Sequence, residues 1–218
     1  MLKHKMYVYI HITCIHHYKT IFQNIMMKMI SSGLYDQIEK IRIVLIHEID
    51  TGYEWCNDPK IEIIHRAPLG TYESETINRI DVPDDCPVLY LHSKGVTKPN
   101  VKQINDWTEM MLYYLIEEWR VCVEGLKEYD TVGVNLHYKP IPDYSGNYVH
   151  YSGNMWWTKG KHLKKIGKLY ARNYLDAEMY ICKSGKHLGL WNSGINHYFD
   201  FYAPDKYRGK IEPYCIKN

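Results

Sequence analysis

Short apolar runs that end in polar or cationic residues recur along the chain, separated by stretches whose apolar residues fall at helical spacing. Met6 to Ile12 alternates and is β-rich, predicting a first strand. Ile21, Phe22, Ile25, Met26 and Met29 then fall on one helical face, predicting a helix of roughly 15 residues closed by Ser32-Gly33-Leu34. Ile41 to Ile46 predicts a second strand, and this strand-helix-strand order implies a right-handed crossover in a parallel sheet. Lys60 to His65 predicts a short third strand, and Tyr72 to Ile80 a short helix capped near Thr71 or Ser74. Val88 to Leu91 is continuously apolar, as a strand buried on both faces would be, and runs into His92-Ser93-Lys94-Gly95.

Beyond Gly95 the pattern predicts a long helix over about 101–126, with Asn100 and Gln103 as a capping box and a face of Ile104, Trp107, Met111, Tyr114, Leu115, Cys122 and Leu126. Asp130 to Asn135 predicts another strand. Residues 136–149, rich in Pro, Gly, Asp and Tyr, predict a loop able to cover a cleft. After His150-Tyr151-Ser152-Gly153-Asn154-Met155-Trp156-Trp157, helices are expected over about 160–169 and 172–182. Adjacent tryptophans on a strand face opposite ways, so one of the pair belongs to the core. The expected architecture is α/β: a Rossmann-like, mostly parallel central sheet flanked by helices in a single domain over 1–218.

Composition narrows the function classes. With 27 Lys and Arg against 25 Asp and Glu the chain carries only +2, which argues against a general nucleic-acid binder. Residues 151–218 hold 12 basic and 5 acidic residues, so the basic surplus lies in the final third and suits an anionic ligand. Six cysteines without C-x-x-C spacing suggest reduced thiols rather than a zinc ribbon. No apolar run approaches the ~20 residues needed to span a bilayer, and no convincing signal peptide opens the chain, so a cytoplasmic protein is expected. P-loop, G-x-G-x-x-G, G-x-S-x-G and H-E-x-x-H patterns are missing. His92, Ser93 and Lys94 stand where open α/β sheets bind ligands, beyond the carboxyl end of a strand, although a solvated strand end has the same pattern.

The succession E-S-E-T-I-N-R-I, V-L-Y-L-H-S-K-G, Y-D-T-V-G-V-N, H-Y-S-G-N-M-W-W and D-A-E-M-Y-I resembles small glycosyltransferases of the GT-A fold. More narrowly it is similar to a group seen in large DNA viruses and bacterial polysaccharide loci, including rhamnan-synthesis-type proteins. The resemblance implies transfer of a sugar from a nucleotide-sugar donor, UDP by default with rhamnose or glucose as the sugar, to a hydroxyl of a glycan acceptor. The donor half would span about 1–135 and the acceptor half about 136–218. His11, Thr13 and Asp50 would hold the nucleoside, Glu75 and Arg79 would line the donor pocket, and His92, Ser93, Lys94 and Gly95 would meet the diphosphate. Ser152, Gly153, Asn154 and Trp156 would shape the sugar and acceptor side. Glu178 is favoured as general base, then Asp176, then Asp143. Many such enzymes hold Mg²⁺ or Mn²⁺ on an Asp-x-Asp pair where this chain has His92 and Lys94, so no metal ligand is assigned and metal-independent transfer is expected, with a divalent ion still an option. The alternatives are a noncatalytic nucleotide-sugar or carbohydrate-binding module and one domain of a longer synthase.

Overall fold

A computed structural model describes residues 5–47, 57–98, 100–138 and 149–218. Asp50 and Asp143 lie outside the described residues. Eight strands form the main sheet: β1 (Met6–Thr13), β2 (Ile38–Ile46), β3 (Ile61–Ala67), β4 (Pro87–His92), β5 (Thr131–Gly133), β8 (Trp156–Lys159), β9 (Lys186–Gly189) and β10 (Tyr214–Lys217). Their order is β10-β9-β5-β8-β4-β1-β2-β3. Parallel pairing joins β1 to β2 and β4, β2 to β3, and β5 to β9, while β8 lies antiparallel between β4 and β5. The expected mixed α/β architecture with a largely parallel sheet is therefore present. A separate two-stranded ladder pairs β6 (Leu136–Tyr138) with β7 (Val149–Tyr151).

Val88 to Leu91 in β4 and Ile43 to Ile46 in β2 read as unbroken apolar runs because both faces of the sheet are covered there. Val8, Ile10, Ile12, Leu89 and Leu91 face one core, shared with α1 (Tyr18–Ser31), α4 (Lys102–Leu112) and α5 (Trp119–Gly125). Tyr9, Val88 and Tyr90 face a second core with α3 (Ser74–Ile77), α6 (Gly160–Ile166) and α7 (Leu175–Glu178); a further short helix, α2 (Leu34–Gln37), leads into β2. Trp157 belongs to the first core and Trp156 to the second. Pleating sends neighbours to opposite faces, and here both faces are interior.

Several expected elements differ. The long helix over 101–126 breaks at Tyr113–Glu117 into a π turn, in which the Glu118 N–H donates to the Tyr113 carbonyl at 3.0 Å. Beside it the Trp157 indole N–H donates to the Leu115 carbonyl at 2.8 Å, so a side chain of β8 satisfies part of the altered ladder. The Asn100 capping box does not form: Asn100 takes a φ of +66°, α4 starts two residues later, and no side chain caps it. Likewise α3 has no side-chain cap at Thr71 or Ser74. Of the helix expected over 172–182 only Leu175–Glu178 is helical, and the tail beyond it adds β9 and β10.

Burial also sets an acid limit on the fold. Desolvation pushes the His11, His187 and His197 imidazoles down to about 4 and lowers His162 as well. The folded state holds these rings neutral, whereas the unfolded chain protonates them below about 6.5. The unfolded state therefore binds more protons between about pH 6.5 and 4, so stability falls as pH falls through that window, by up to ~1.4 kcal/mol per pH unit for each ring. Urea melts at stepped pH should show the midpoint dropping below pH 6.5; a flat profile down to pH 4.5 would contradict this.

Candidate functional site

From β1 the chain runs outward through β2 and β3, then returns to place β4 on the other side of β1. That reversal is a topological switch point, where a crevice opens beyond the carboxyl ends of the two strands. His11 and His92 are register partners across the β1–β4 ladder. The Ser93 N–H donates to the His11 carbonyl at 2.9 Å, and the Ser93 hydroxyl accepts the Thr13 N–H at 3.0 Å. Gly95, at φ +84°, turns the chain away with Ile104 packed against it. The resulting cleft has a volume of about 290 Å³ and is lined by His11, Thr13, His92, Ser93, Lys94 and Gly95, with Lys98 and three tyrosines at its rim, Tyr72, Tyr174 and Tyr198.

The residue that ties this site together, Glu73, is one that sequence reasoning passed over. Its Oε2 accepts the Tyr90 hydroxyl at 2.8 Å and the Asn154 side-chain amide, and its Oε1 stands 3.5 Å from His92 Nδ1. Burial alone would raise its pKa, but His92, His11, the Tyr90 hydroxyl and Lys94 together hold it below the usual carboxylate value. Burial and the Glu73 charge push Tyr90 well up, so its hydroxyl keeps its proton for the carboxylate. Asn154 is oriented in turn by the Trp156 indole N–H, which donates to its Oδ1 at 3.0 Å.

Gly153 joins the two halves of the cleft through a single residue's backbone. Its carbonyl accepts His92 Nε2–H at 2.8 Å, and its N–H donates to Glu178 Oε1 at 2.7 Å. The residue sits at φ +98°, and a Cβ there would fall 2.5 Å from Met111 Sδ. The antiparallel β6–β7 ladder delivers this segment, with the Ser152 N–H donating to the Asn135 carbonyl at 3.0 Å. Glu178 Oε2 is left without a hydrogen-bond partner among the described residues.

Lys94 is the cation of the cleft floor. Its Nζ lies 3.8 Å from the centroid of the Trp107 ring, and it makes no ion pair among the described residues. Desolvation lowers its pKa, opposed by Glu178 and Glu73 and helped by Lys98. A partly desolvated ammonium with two carboxylates nearby but no direct pair is suited to an anion supplied from outside.

His11, Thr13, His92, Ser93, Lys94 and Gly95 are thus brought to one cleft, with Gly153, Asn154 and Glu178 linked to its wall by hydrogen bonds. Other expected residues are placed elsewhere. Glu75 pairs with Arg79 at 2.7 Å and with His65 at 3.3 Å, and neither Glu75 nor Arg79 lines the cleft. Asp176 accepts the Arg172 and Asn173 N–H groups at 2.6 and 3.0 Å, closing the turn into its own helix. Trp156 is fully buried, with its ring stacked on Tyr90 at 4.8 Å, so it offers no face to a sugar and acts by holding Asn154. Helical spacing held a signal for Glu73: it shares a face with Ile77, whereas Glu75 and Arg79 share another.

Among the described residues no group of three or more His, Cys, Asp or Glu side chains could hold a metal ion. Glu73, the carboxylate nearest His92, has its Oε2 taken by Tyr90 and Asn154, while its Oε1 lies 3.5 Å from His92 Nδ1. No helix among the described residues is long and apolar enough to cross a membrane. Neither a family model nor a curated protein sequence matches the chain.

Proposed function

We propose that the protein is a glycosyltransferase of GT-A type that moves a sugar from a nucleotide-sugar donor to a hydroxyl of a glycan acceptor. The observation that carries this reading is Lys94: a cation without a direct pair at a topological switch point, with Glu178 and Glu73 close enough to act on its charge. In this reading the donor diphosphate lies against Lys94 and Lys98, whose charges stabilise the phosphate as it departs. Glu178, anchored through Oε1 on the Gly153 N–H, uses its other oxygen to take the proton of the attacking hydroxyl. The acceptor oxygen forms its bond to the anomeric carbon as the bond from that carbon to the phosphate oxygen breaks, and the electron pair leaves on the diphosphate. Attack opposite the leaving group inverts the anomeric centre. The Glu73–His92–Asn154 cluster serves as scaffold, because Glu73 Oε2, His92 Nε2 and the Asn154 side-chain amide are held by Tyr90, Gly153 and Trp156 and by one another.

The test is a panel of UDP-, GDP- and dTDP-sugars, followed by thermal shift and by release of free nucleotide with and without sugar acceptors. One donor should raise the melting temperature and be turned over. Lys94→Met should weaken binding of that donor by about tenfold or more, the scale of a lost charge-assisted contact. Unchanged affinity in that variant would remove the diphosphate from this place. That no metal-binding group stands beside Lys94 among the described residues favours a second reading, a noncatalytic nucleotide-sugar-binding module. Donor binding without turnover on any acceptor would support the module over the enzyme.

A further inference from the structure

Both tryptophans of the Trp156–Trp157 pair are buried, so a molecule entering the cleft meets other rings. Two tyrosines stand in their place. Tyr174 is 71% and Tyr198 53% exposed, and both line the cleft that holds Lys94 and Lys98. Tyr174 leads into α7 and Glu178 closes it four residues later, so the two side chains leave that turn on one side. Tyr198 arrives from a distant part of the chain and is pinned in place. The Trp107 ring meets it at 5.6 Å and 75°, and Lys98 Nζ lies 4.8 Å from its ring centre. Burial pushes the Tyr198 phenol up, and the charges of Glu178 and Tyr174 push it further, which puts the three groups within electrostatic reach of one another. Phe199 and Phe201, the other exposed rings of that segment, do not line the cleft. The rings that do line it combine a flat apolar face with a hydroxyl tip.

We propose, on the reading of the cleft as a glycosyltransferase site, that Tyr174 and Tyr198 form the acceptor subsite and take a pyranose ring by stacking, with its hydroxyl edge turned to Glu178. A molecule lying on these rings lies beside the carboxylate whose Oε2 has no hydrogen-bond partner among the described residues, so it is the molecule that gives up the proton. A pyranose fits because its C–H groups make a face apolar while hydroxyls crowd its edge, matching ring faces bordered by phenol tips and a carboxylate. An acyclic polyol has the hydroxyls without the face, and a peptide serine offers its hydroxyl on a chain with no such face.

Saturation-transfer difference spectra on the whole protein test this without any transfer reaction. The probes are the methyl glycosides of glucose, galactose, mannose and rhamnose, with sorbitol and a serine-containing peptide as controls. At least one methyl pyranoside should take saturation on its ring C–H protons, while sorbitol and the peptide take none. Tyr174→Ala and Tyr198→Ala should each weaken that binding by about tenfold, the scale of a lost stacking face. Tyr174→Phe and Tyr198→Phe keep the ring and should stay within about threefold of the parent. Tyr170→Ala, at an 81% exposed ring that does not line the cleft, should bind as the parent does. The proposal is overturned if no methyl pyranoside binds, if sorbitol or the peptide is saturated equally, if either alanine variant binds unchanged, or if the phenylalanine variants lose as much as the alanine ones. Donor binding, read in its own titration, separates the two failures. A donor turned over with no pyranoside on these rings overturns the subsite alone, whereas pyranoside binding with no donor bound overturns the transferase reading and with it the acceptor role.

Discussion

Glu178→Gln is expected to slow sugar transfer by about two to four orders of magnitude while leaving donor affinity unchanged within a few-fold. Glutamine is nearly the same shape, and its side-chain carbonyl still accepts the Gly153 N–H that Glu178 accepts at 2.7 Å. The loop therefore stays where it is, and what disappears is the ability to take a proton. Initial rates with donor and acceptor, set beside a donor titration on the same preparation, separate the two effects. Full activity in this variant would take Glu178 out of the chemistry. Asp176→Asn supplies the contrast: its carboxylate is spent on the Arg172 and Asn173 amides, so that variant should lose little rate.

Gly153→Ala is expected to damage both fold and activity. The residue sits at φ +98°, where an L side chain is strained, and the new methyl would lie 2.5 Å from Met111 Sδ and 3.2 Å from the Trp107 ring. Overpacking of this kind costs about 1–3 kcal/mol, and the backbone strain adds about 1–2 kcal/mol. At ~2–4 °C per kcal/mol for a chain of this length, the melting temperature should fall by roughly 4–20 °C. The same shift pulls apart the His92–Gly153 and Gly153–Glu178 hydrogen bonds, so the folded fraction should also transfer more slowly. Adding Met111→Ala should return part of the stability by relieving the clash, but not the part owed to φ. Gly153→Ala melting and turning over as the parent does would show that this peptide does not position the site.

The first strand was legible from its alternation, and Ile43 to Ile46 and Val88 to Leu91 from their unbroken apolar runs, because a strand segment covered on both faces must be apolar throughout, whatever packs on it. The polar end His92-Ser93-Lys94-Gly95 was legible for a related reason: a parallel strand that stops in such residues can satisfy them only at the sheet's edge. Glu73 was harder to see than Glu75, because α3 is four residues long and too short for its periodicity to stand out. The π turn at Tyr113–Glu117 could not be read at all, since it answers to the indole of Trp157, which arrives from another part of the chain. The expectation that Trp156 meets a sugar failed on the same ground. Neighbouring strands and helices on both sides of β8 leave neither tryptophan an open face.

By itself, then, the sequence determined the α/β class, the strands β1, β2 and β4, and the place of a cation at the end of β4, because these depend on local periodicity and on the few residue types each element tolerates. Only the tertiary structure decided where each carboxylate lies. Crossing β4 to the far side of β1 opened the cleft, the β6–β7 ladder carried Gly153 between His92 and Glu178, and α3 turned Glu73 inward while leaving Glu75 with Arg79 and His65. The physical reason is distance along the chain. Glu73, Tyr90, Asn154 and Glu178 share one network through hydrogen bonds between residues up to 81 positions apart, and the energy of such bonds depends on who is near in space rather than on who is next in sequence.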